Sequence, residues 1–394
     1  MKVVRTIVPV GIGAFCIERF VDEITSDGLF VTVYDCGKGR RNSTSAKLKT
    51  IIDAELIRYN KTIDFLFLSH FDNDHINGLS YLIQTGMVNN ADTTVYLPLI
   101  EAPHIFLYEY VNSLHYNVTI QLLKKHQIKI IFVRPDGQFG EHEQVHNGET
   151  KQDEEIFSGC LDIDSYTSLH PNLQANLIWN YIPFYLHDTG IYAEFLKYVL
   201  ARPPYFFTEA DFDNFQDWSE AEKRWLKSKY KSFRYSKARY NGAVSPINMN
   251  AMLLISDRTN NVQVKNVATT AHLHNMQNGV CRTFAGCNTS AIYASDVGLN
   301  NNQYFNRVRV AICNYVVNGI AGLFQIPHHA SPHCYNKNIF ACMPFEMAFC
   351  NCKQGSINPS YCIQYEHDAI KAKRPFIIVD NNSVRQLVQE ILLR

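Results

Sequence analysis

The chain has 394 residues, of which 46% are hydrophobic and 19% are charged, and its 37 basic residues balance 37 acidic ones. This composition excludes extensive disorder, and any binding to nucleic acid must come from a local patch because the net charge is zero. No stretch reaches the roughly 18 apolar residues of a membrane helix and the N-terminus lacks a signal-peptide cleavage pattern, so we expect a cytoplasmic protein without membrane partners. The 11 cysteines form no CxxC pair, which favours reduced, mostly buried thiols.

The first 59 residues predict three strands followed by a helix. The segments VVRTIV, AFCIERFV and LFVTVYD, between residues 3 and 35, are rich in β-branched and aromatic residues and are separated by glycine. Leu48, Ile51 and Ile52 recur at helical spacing, which predicts a helix between Ser43 and Tyr59.

Residues 63–79, IDFLFLSHFDNDHINGL, carry the densest cluster of polar functional groups in the chain. The apolar run at the start predicts a strand buried on both faces, and a helix is predicted from about Ile76 to Gln84. Four side chains that can bind metals fall within six residues between them: His70, Asp72, Asp74 and His75. Because α/β proteins place their chemistry at the carboxyl ends of strands, this order predicts a metal site; a polar turn is the alternative.

The HFDNDH segment resembles the HxHxDH signature of the metallo-β-lactamase fold. It has the HxDxDH form found in competence-related DNA-uptake nucleases and in some phosphorylcholine esterases. VGIGAFCIE and YDCGKG resemble the opening of the same family, in which the second loop lies beside the metals, so Asp35 is expected to support the ligands unless it only forms a turn. The resemblance implies an α/β (α+β) fold, a four-layered αββα sandwich, as a single domain over residues 1–394.

Residues 136–242 match no part of that family and are predicted to be an insertion. Before them, VYLPLI and IKIIFV predict two strands on either side of an aromatic helix from about Ala102 to Lys125. Within the insertion, a polar loop to residue 154 precedes a strongly aromatic part whose second half is predicted to be largely helical.

The last part of the insertion, Lys223–Tyr240, interleaves eight cationic side chains with aromatic rings. Cations that neutralise phosphates beside rings that stack on bases suit single-stranded nucleic acid. The predicted substrate-binding residues are therefore Lys227, Lys229, Lys231 and Arg234. The alternative is an amphipathic helix whose rings face the core and whose cations pair with the acidic residues between 209 and 222.

Beyond residue 242 the resemblance resumes. SPINMNAMLLIS has Asn248 and Asn250 where many members of the family have a third metal-binding histidine. An amide is a poorer ligand than imidazole, so one metal would lack a ligand here. His272 and His274 are predicted to lie in a solvated loop; the alternative is that they reach the metals.

Two further strand ends complete the resemblance. SAIYASDVGLN resembles the segment whose aspartate bridges two metals, which makes Asp296 the expected bridge. GLFQIPHHASPH resembles the HHGS motif and adds His328 and His329, with Ala330 at the usual glycine, so its turn is expected to differ in shape. In the tail, FEMAFCNC and PFIIVD predict strands, the first with its thiols on one face, and SVRQLVQEILL predicts a closing helix.

The resemblance and the ligand types together predict a metal-dependent hydrolase. Imidazole and carboxylate ligands suit two divalent ions, zinc or manganese, which clamp the attacking and leaving oxygens of a displacement. Asp74 is expected to orient the nucleophilic water, and Ser331 or His333 to contact the scissile group or protonate the leaving oxygen. We expect a nuclease or phosphodiesterase acting on nucleic acid or another phosphodiester, with any partner protein unknown. The alternatives are a small-molecule phosphoesterase or other hydrolase, and a non-catalytic binding or signalling module of a bacterial defence system.

Overall fold

Two mixed β-sheets and a set of helices make up the described part of the chain. The computed structural model describes residues 1–39, 44–56, 62–100, 115–136, 160–171, 173, 178–187, 189–200, 203–205, 207–208, 218–241, 251–273, 281–285, 288–352, 363–380 and 384–393. The α/β class predicted from the sequence is confirmed at this level. No helix in these ranges is long and apolar enough to cross a membrane.

The first sheet has ten strands and is antiparallel on one side and parallel on the other. Its spatial order is β11 (Cys281–Ala285), β10 (Val264–Leu273), β16 (Val384–Leu393), β1 (Lys2–Ile7), β2 (Cys16–Val21), β3 (Gly28–Tyr34), β4 (Phe65–Phe67), β5 (Thr94–Pro98), β6 (Lys129–Val133) and β7 (Leu161–Ile163). The strands from β3 to β7 are parallel, so their carboxyl ends lie at one edge of the sheet. The three predicted N-terminal strands and the short buried strand before HFDNDH are confirmed.

The second sheet has six strands. Its order is β15 (Phe376–Val379), β14 (Phe345–Asn351), β13 (Ala321–Gln325), β12 (Ala291–Tyr293), β9 (Met252–Arg258) and β8 (Trp179–Tyr185). The strands from β12 to β15 are parallel, whereas β9 is antiparallel to both of its neighbours.

The helices pack on the sheets through apolar residues at helical spacing. They are α1 (Ala46–Glu55), α2 (Asn73–Ile76), α3 (Leu79–Gln84), α4 (Tyr116–Lys125), α5 (Thr189–Leu200), α6 (Glu220–Asn241), α7 (Asn302–Tyr315), α8 (Ile339–Cys342) and α9 (Gln364–Ala372). The Ser45 and Asn301 side chains cap α1 and α7 by accepting hydrogen bonds from the Leu48 and Gln303 nitrogens. The helix predicted from about Ile76 to Gln84 is interrupted near Gly78, since α2 ends at Ile76 and α3 begins at Leu79.

Three apolar cores follow from this arrangement. One joins the ten-stranded sheet to α1, α3, α4, α5 and α6, and another joins the six-stranded sheet to α7, α8 and α9. The third lies between the sheets and is rich in aromatic side chains, including Phe67, Trp179, Tyr181 and Tyr293. The cysteines whose side chains are described are all free, and Cys350 and Cys352 share one face at 3.6 Å between their sulfurs, as predicted.

The predicted C-terminal helix is wrong, because residues 384–393 form strand β16 between β1 and β10. Leu387, Gln389, Ile391 and Leu393 are buried at a spacing of two. The sequence pattern concealed this alternation because Gln389 is polar. Its amide oxygen accepts a hydrogen bond from the buried Arg5 guanidinium, which explains a glutamine at an inward position.

A second correction concerns His272, which was predicted to lie in a solvated loop. It lies in β10, in register with Cys281 of β11 and Gln386 of β16. His274 lies outside the described residues, as do Asn248, Asn250 and most of the polar loop predicted at 136–154.

The segment predicted as an insertion contributes to both sheets. β7 extends the ten-stranded sheet beside β6, and β8 pairs with β9 in the six-stranded sheet, with Trp179 and Tyr181 fully buried. In its second half, Thr189–Leu200 and Glu220–Asn241 are helical, as predicted. The boundaries of the insertion stay a prediction, but residues 161–163 and 179–185 belong to the two sheets.

The basic segment lies on α6, and two of the aromatic rings described on this helix face the core. Leu226, Tyr230 and Phe233 are buried, and the Phe195 ring lies 5.1 Å from Tyr230 and 5.4 Å from Phe233. This packing corrects the expectation that Tyr230 and Phe233 are available for stacking on bases. Lys223 lies 3.9 Å from Glu220, in agreement with the amphipathic alternative.

A buried ion pair ties the two sheets together away from the HFDNDH loop. Arg5 Nε lies 2.6 Å from Glu18 Oε1, and neither side chain is more than 2% exposed. The Glu18 carboxylate also accepts hydrogen bonds from three residues of the other sheet: Tyr181, Ser256 and Tyr293. Both charges are thus fully hydrogen-bonded across the core.

We predict that Arg5→Met destabilises the protein by about 3–5 kcal/mol, because it leaves the Glu18 carboxylate buried without its cation. Lys2→Met, on the same strand, removes a cation whose pairing with Glu390 is solvent-exposed and should cost less than about 1 kcal/mol. Urea unfolding of both variants measures the difference. Equal midpoints for the two variants would contradict this role for the ion pair.

Candidate metal centre

Ligand-type side chains from three strand ends converge between the sheets. His70, Asp72, Asp74 and His75 follow β4, Asp296 follows β12, and His328 and His329 follow β13. Each loop stands at the carboxyl end of its strand, and β12 and β13 are parallel neighbours. The structure therefore brings together all seven residues predicted as metal ligands.

Glycine residues allow the HFDNDH loop to approach its neighbours closely. A Cβ atom on Gly37 would overlap the Asp74 carbonyl group and the His75 nitrogen, and one on Gly13 would lie 2.6 Å from the Asp74 oxygen. The Cys36 nitrogen donates a hydrogen bond to the His75 oxygen at 2.8 Å. The two glycine loops, at 11–13 and 37–39, thus determine where Asp74 and His75 lie.

The Asp296 carboxylate lies in the middle of the cluster, with each oxygen facing two imidazoles. Oδ1 is 3.5 Å from His75 Nε2 and 3.8 Å from His329 Nε2. Oδ2 is 3.7 Å from His70 Nε2 and 3.9 Å from His328 Nε2. The two histidines of the HHAS motif therefore lie on opposite sides of one carboxylate.

Two further carboxylates flank this arrangement. Asp74 Oδ2 is 3.3 Å from His329 Nε2, and Asp72 Oδ2 is 3.7 Å from His70 Nε2. The ligand atoms of His70, His75 and Asp296 all lie within 4.8 Å of one another, and so do those of Asp74, His75 and His329. Because the sets share His75, one ion at either position or two adjacent ions are compatible with them.

Asp35 orients two of the histidines from behind. His75 Nδ1 donates to Asp35 Oδ2 at 2.8 Å, and the Ser69 hydroxyl donates to the same oxygen at 2.7 Å. Ser69 Oγ in turn lies 2.9 Å from His70 Nδ1, and Ser295 Oγ lies 2.5 Å from Ser69 Oγ. Holding both Nδ1 atoms directs both Nε2 atoms towards Asp296, and this contact agrees with the supporting role predicted for Asp35.

The HHAS turn is held in a left-handed conformation. His328, His329 and Ala330 have φ angles of 51°, 52° and 58°, so alanine here adopts a conformation that favours glycine. His329 Nδ1 donates to the Asn351 oxygen at 3.0 Å, and His328 Nδ1 lies 3.3 Å from Cys334 Sγ. Both imidazoles are thereby oriented with Nε2 towards the centre.

The residues present fit divalent cations. His70 Nε2, His75 Nε2, His329 Nε2 and Asp296 Oδ1 are buried and make no hydrogen bond within the described residues. An unsatisfied buried polar atom costs about 1–3 kcal/mol, and cations held by the two ligand sets would satisfy all four atoms. The distances of 3.3–3.9 Å between facing ligand atoms are close to the roughly 3.4 Å expected for tetrahedral bonds of about 2.0–2.1 Å.

Neighbouring imidazoles lower the pKa values of the Asp296 and Asp74 carboxyl groups and so favour their ionised forms. Burial raises the pKa of Asp296, but the imidazoles of His328, His75 and His329 outweigh it and hold that pKa well below its usual range. Burial also opposes ionisation of Asp74, yet His329 and His75 lower its pKa.

The pKa values of the histidines shift in different directions. Burial lowers the pKa of His75, but the Asp296 and Asp35 carboxylates outweigh it and raise that pKa well above its usual value. Asp296 and Asp74 likewise raise the pKa of His329, whereas burial lowers the pKa of His328. Protons on His75 and His329 therefore compete with a metal ion, and metal binding should weaken as the pH falls.

The other predicted site residues are less well placed or lie outside the description. Ser331 is buried, and its nitrogen donates to the His328 oxygen at 2.8 Å, so its backbone supports the HHAS turn. The side chains of His333, Lys231 and Arg234 are not among those described. Lys227 and Lys229 lie on α6, and Lys229 Nζ lies 5.5 Å from the centre of the Trp225 ring.

Sequence reasoning missed several residues that support the centre. Ser69 and Ser295 each precede a predicted ligand, and Asn351 acts through its backbone oxygen, which no side-chain pattern reveals. A separate pair lies where β8 ends: Tyr185, its last residue, and His187, with 2.8 Å between Tyr185 Oη and His187 Nδ1. A histidine two residues after an aromatic strand was the available signal for this pair.

Comparisons with known proteins leave the family open. No family model and no curated protein matches the chain. Among solved structures, the chain is similar to a crystal structure of unliganded yeast PDE1, with 9% identity and a TM-score of 0.42 over 98% of this chain and 99% of that one. A similarity this low does not determine the family or the activity of this chain.

We predict that Gly37→Ala weakens zinc or manganese binding by at least about tenfold, because the new methyl group displaces the backbone of Asp74 and His75. The matched control is Gly39→Ala. Gly39 has a positive φ, of 64°, which alone disfavours alanine, but a Cβ there meets nothing within 4 Å. Equilibrium dialysis with metal analysis compares the variants, and equal affinities for the two would contradict the close-approach argument.

Proposed function

We propose that the chain is a metal-dependent phosphodiesterase or nuclease with two divalent ions, zinc or manganese, in a four-layered metallo-β-lactamase-like sandwich. The observation that carries the proposal is the Asp296 carboxylate, whose two oxygens face two different pairs of imidazoles. A carboxylate in this position is suited to bridge two ions. The HxDxDH order of the first loop supports the same chemistry.

The ligands divide between the two ions around Asp296. Asp74, His75 and His329 would hold one ion together with Asp296. His70, Asp72 and His328 would hold the other, also with Asp296. In this assignment His328 supplies the imidazole that Asn248 and Asn250 do not.

Divalent ions held there would supply Lewis-acid polarisation of a phosphoryl oxygen and an ionised water at neutral pH. The protein's own contribution is orientation. Asp35 and Ser69 fix His75 and His70, Asn351 fixes His329, and Asp74 is available to align the attacking water. The cluster of buried carboxylates favours ions with a preference for oxygen ligands, which keeps manganese beside zinc as a candidate.

A phosphodiester is the substrate class that best suits a centre with two cations, because the ions neutralise charge on the phosphoryl oxygens in the transition state. A small-molecule phosphoesterase is the second candidate. The buried rings of α6, Tyr230 and Phe233, favour it over a nucleic-acid enzyme that stacks bases on this helix. A cytoplasmic location remains part of the proposal, and any partner protein is unknown.

We expect the purified protein to contain zinc or manganese and to hydrolyse a phosphodiester, and Asp74→Ala to lower kcat by about 10²–10³-fold. Metal analysis is followed by rate measurements on DNA, RNA and bis(4-nitrophenyl) phosphate with each metal. Asp53→Ala, an exposed aspartate on α1, is the control and should behave as wild type. A protein that binds neither metal would overturn the central proposal, whereas cleavage of the small diester alone would favour the small-molecule enzyme.

If nucleic acid is the substrate, neutralising Lys227, Lys229 and Lys231 to Gln should weaken single-stranded DNA binding and reduce the slope of log affinity against log salt by about 2. Three lysines of α4 and the following strand, Lys124, Lys125 and Lys129, provide a control with the same charge change. Fluorescence anisotropy at several salt concentrations measures both. Equal slopes in the two triple variants would mean that the lysines of α6 do not contact nucleic acid and that this helix only packs against the core.

A further inference from the structure

The end of β8 lies beside the loop that carries the metal ligands. Tyr185 pairs with Met252 of β9, and the Met252 nitrogen donates to the Ser69 oxygen at 2.9 Å. Ser69 directly precedes His70 and bonds Asp35. Tyr185 is therefore roughly 10 Å, about two inter-strand spacings, from Ser69, and the backbone of His187 lies two residues, about 6–7 Å, further along the strand direction.

The side chain of His187 continues the inner face of β8. Tyr185 is fully buried in the core between the sheets, whereas Leu186 belongs to the outer core with the helices. The Leu186 nitrogen still bonds the Ala251 oxygen, at 3.4 Å, so the alternation of the strand continues towards residue 187. The half-buried His187 therefore lies on the same side of β8 as Tyr185, the side that faces the space between the two sheets.

Tyr185 holds the His187 ring in one orientation. Its hydroxyl lies 2.8 Å from Nδ1, and the two ring centres are 5.4 Å apart. A histidine fixed at Nδ1 presents Nε2 as its proton-transfer atom, as in other sites where a partner orients the imidazole. Hydrolysis of a phosphodiester needs such an acid when the leaving group is a poor one, because an alkoxide or phenoxide leaves more readily with a proton.

We propose that His187 is the general acid of the reaction and that Tyr185 is its positioning residue. The oxygen of water forms a bond to phosphorus, the bond from phosphorus to the leaving oxygen breaks, and that oxygen takes the proton from His187 Nε2. The proton lost by the water returns to His187 through solvent. This inference rests on the proposed phosphodiesterase function and moves the acid from Ser331 or His333 to a strand that carries no metal ligand.

The test compares the phenyl and 4-nitrophenyl esters of thymidine 5′-phosphate, which differ only in the leaving group. His187→Gln should lower kcat on the phenyl ester by about 100-fold and on the 4-nitrophenyl ester by less than about threefold, because 4-nitrophenolate leaves without a proton. Tyr185→Phe should lower kcat on the phenyl ester by about tenfold. Metal content and melting temperature are measured for each variant.

The control is His170→Gln, a histidine that precedes β8 and bonds the Trp179 oxygen at the other end of the strand, at 3.0 Å. It should leave both rates unchanged. Equal losses on both esters in His187→Gln would overturn the inference, and so would a leaving-group-dependent loss in His333→Gln with none in His187→Gln. A wild-type protein that cleaves neither ester with either metal would instead refute the proposed function.

Discussion

The hydrogen bonds of the buried Asp35 carboxylate hold three loops from both sheets in one place. Its oxygens accept from the Ser69 nitrogen, the Ser69 hydroxyl and His75 Nδ1, and Ser295 Oγ approaches at 3.4 Å. Ser69 follows β4 of the ten-stranded sheet and Ser295 follows β12 of the other. Because a buried carboxylate is costly unless it is fully hydrogen-bonded, these loops are fixed relative to one another before any ion is considered. The directions of His70 and His75 follow from that requirement.

The two polar clusters between the sheets solve the problem of buried charge differently. At Arg5 the charges balance locally: one guanidinium meets one carboxylate, Glu18, and hydroxyl groups satisfy the remaining oxygen positions. At the metal centre the carboxylates of Asp74 and Asp296 face imidazoles, and Nε2 of His70, His75 and His329 makes no hydrogen bond within the described residues. The first arrangement is complete as a structural tie. The second would become complete with bound cations, which is the physical reason to treat it as a candidate functional site.

The sequence predicted the site better than the frame around it. The ligands stand directly after buried strands, so local pattern pointed to His70 and Asp74, and the resemblance to the metallo-β-lactamase fold pointed to Asp296, without knowledge of the sheets. The strand at 384–393 could not be recognised, because the polar Gln389 faces inward, where it accepts a hydrogen bond from Arg5, 384 residues away. Long-range partners of this kind leave no local periodicity. For the same reason, the orientation of Tyr230 and Phe233 depended on Phe195 rather than on the charges beside them.

The HHAS turn explains how two adjacent residues can serve opposite sides of one carboxylate. In a strand or a helix, consecutive side chains point in different directions, so two neighbouring residues do not normally reach the same carboxylate. Here three successive residues with positive φ curl the backbone so that His328 and His329 both reach Asp296, one at each oxygen. Such a conformation costs about 1–3 kcal/mol per non-glycine residue and persists only where the surroundings enforce it. The Asn351 oxygen at His329 and the Cys334 sulfur at His328 enforce it, so the chain sustains strain in order to present both imidazoles.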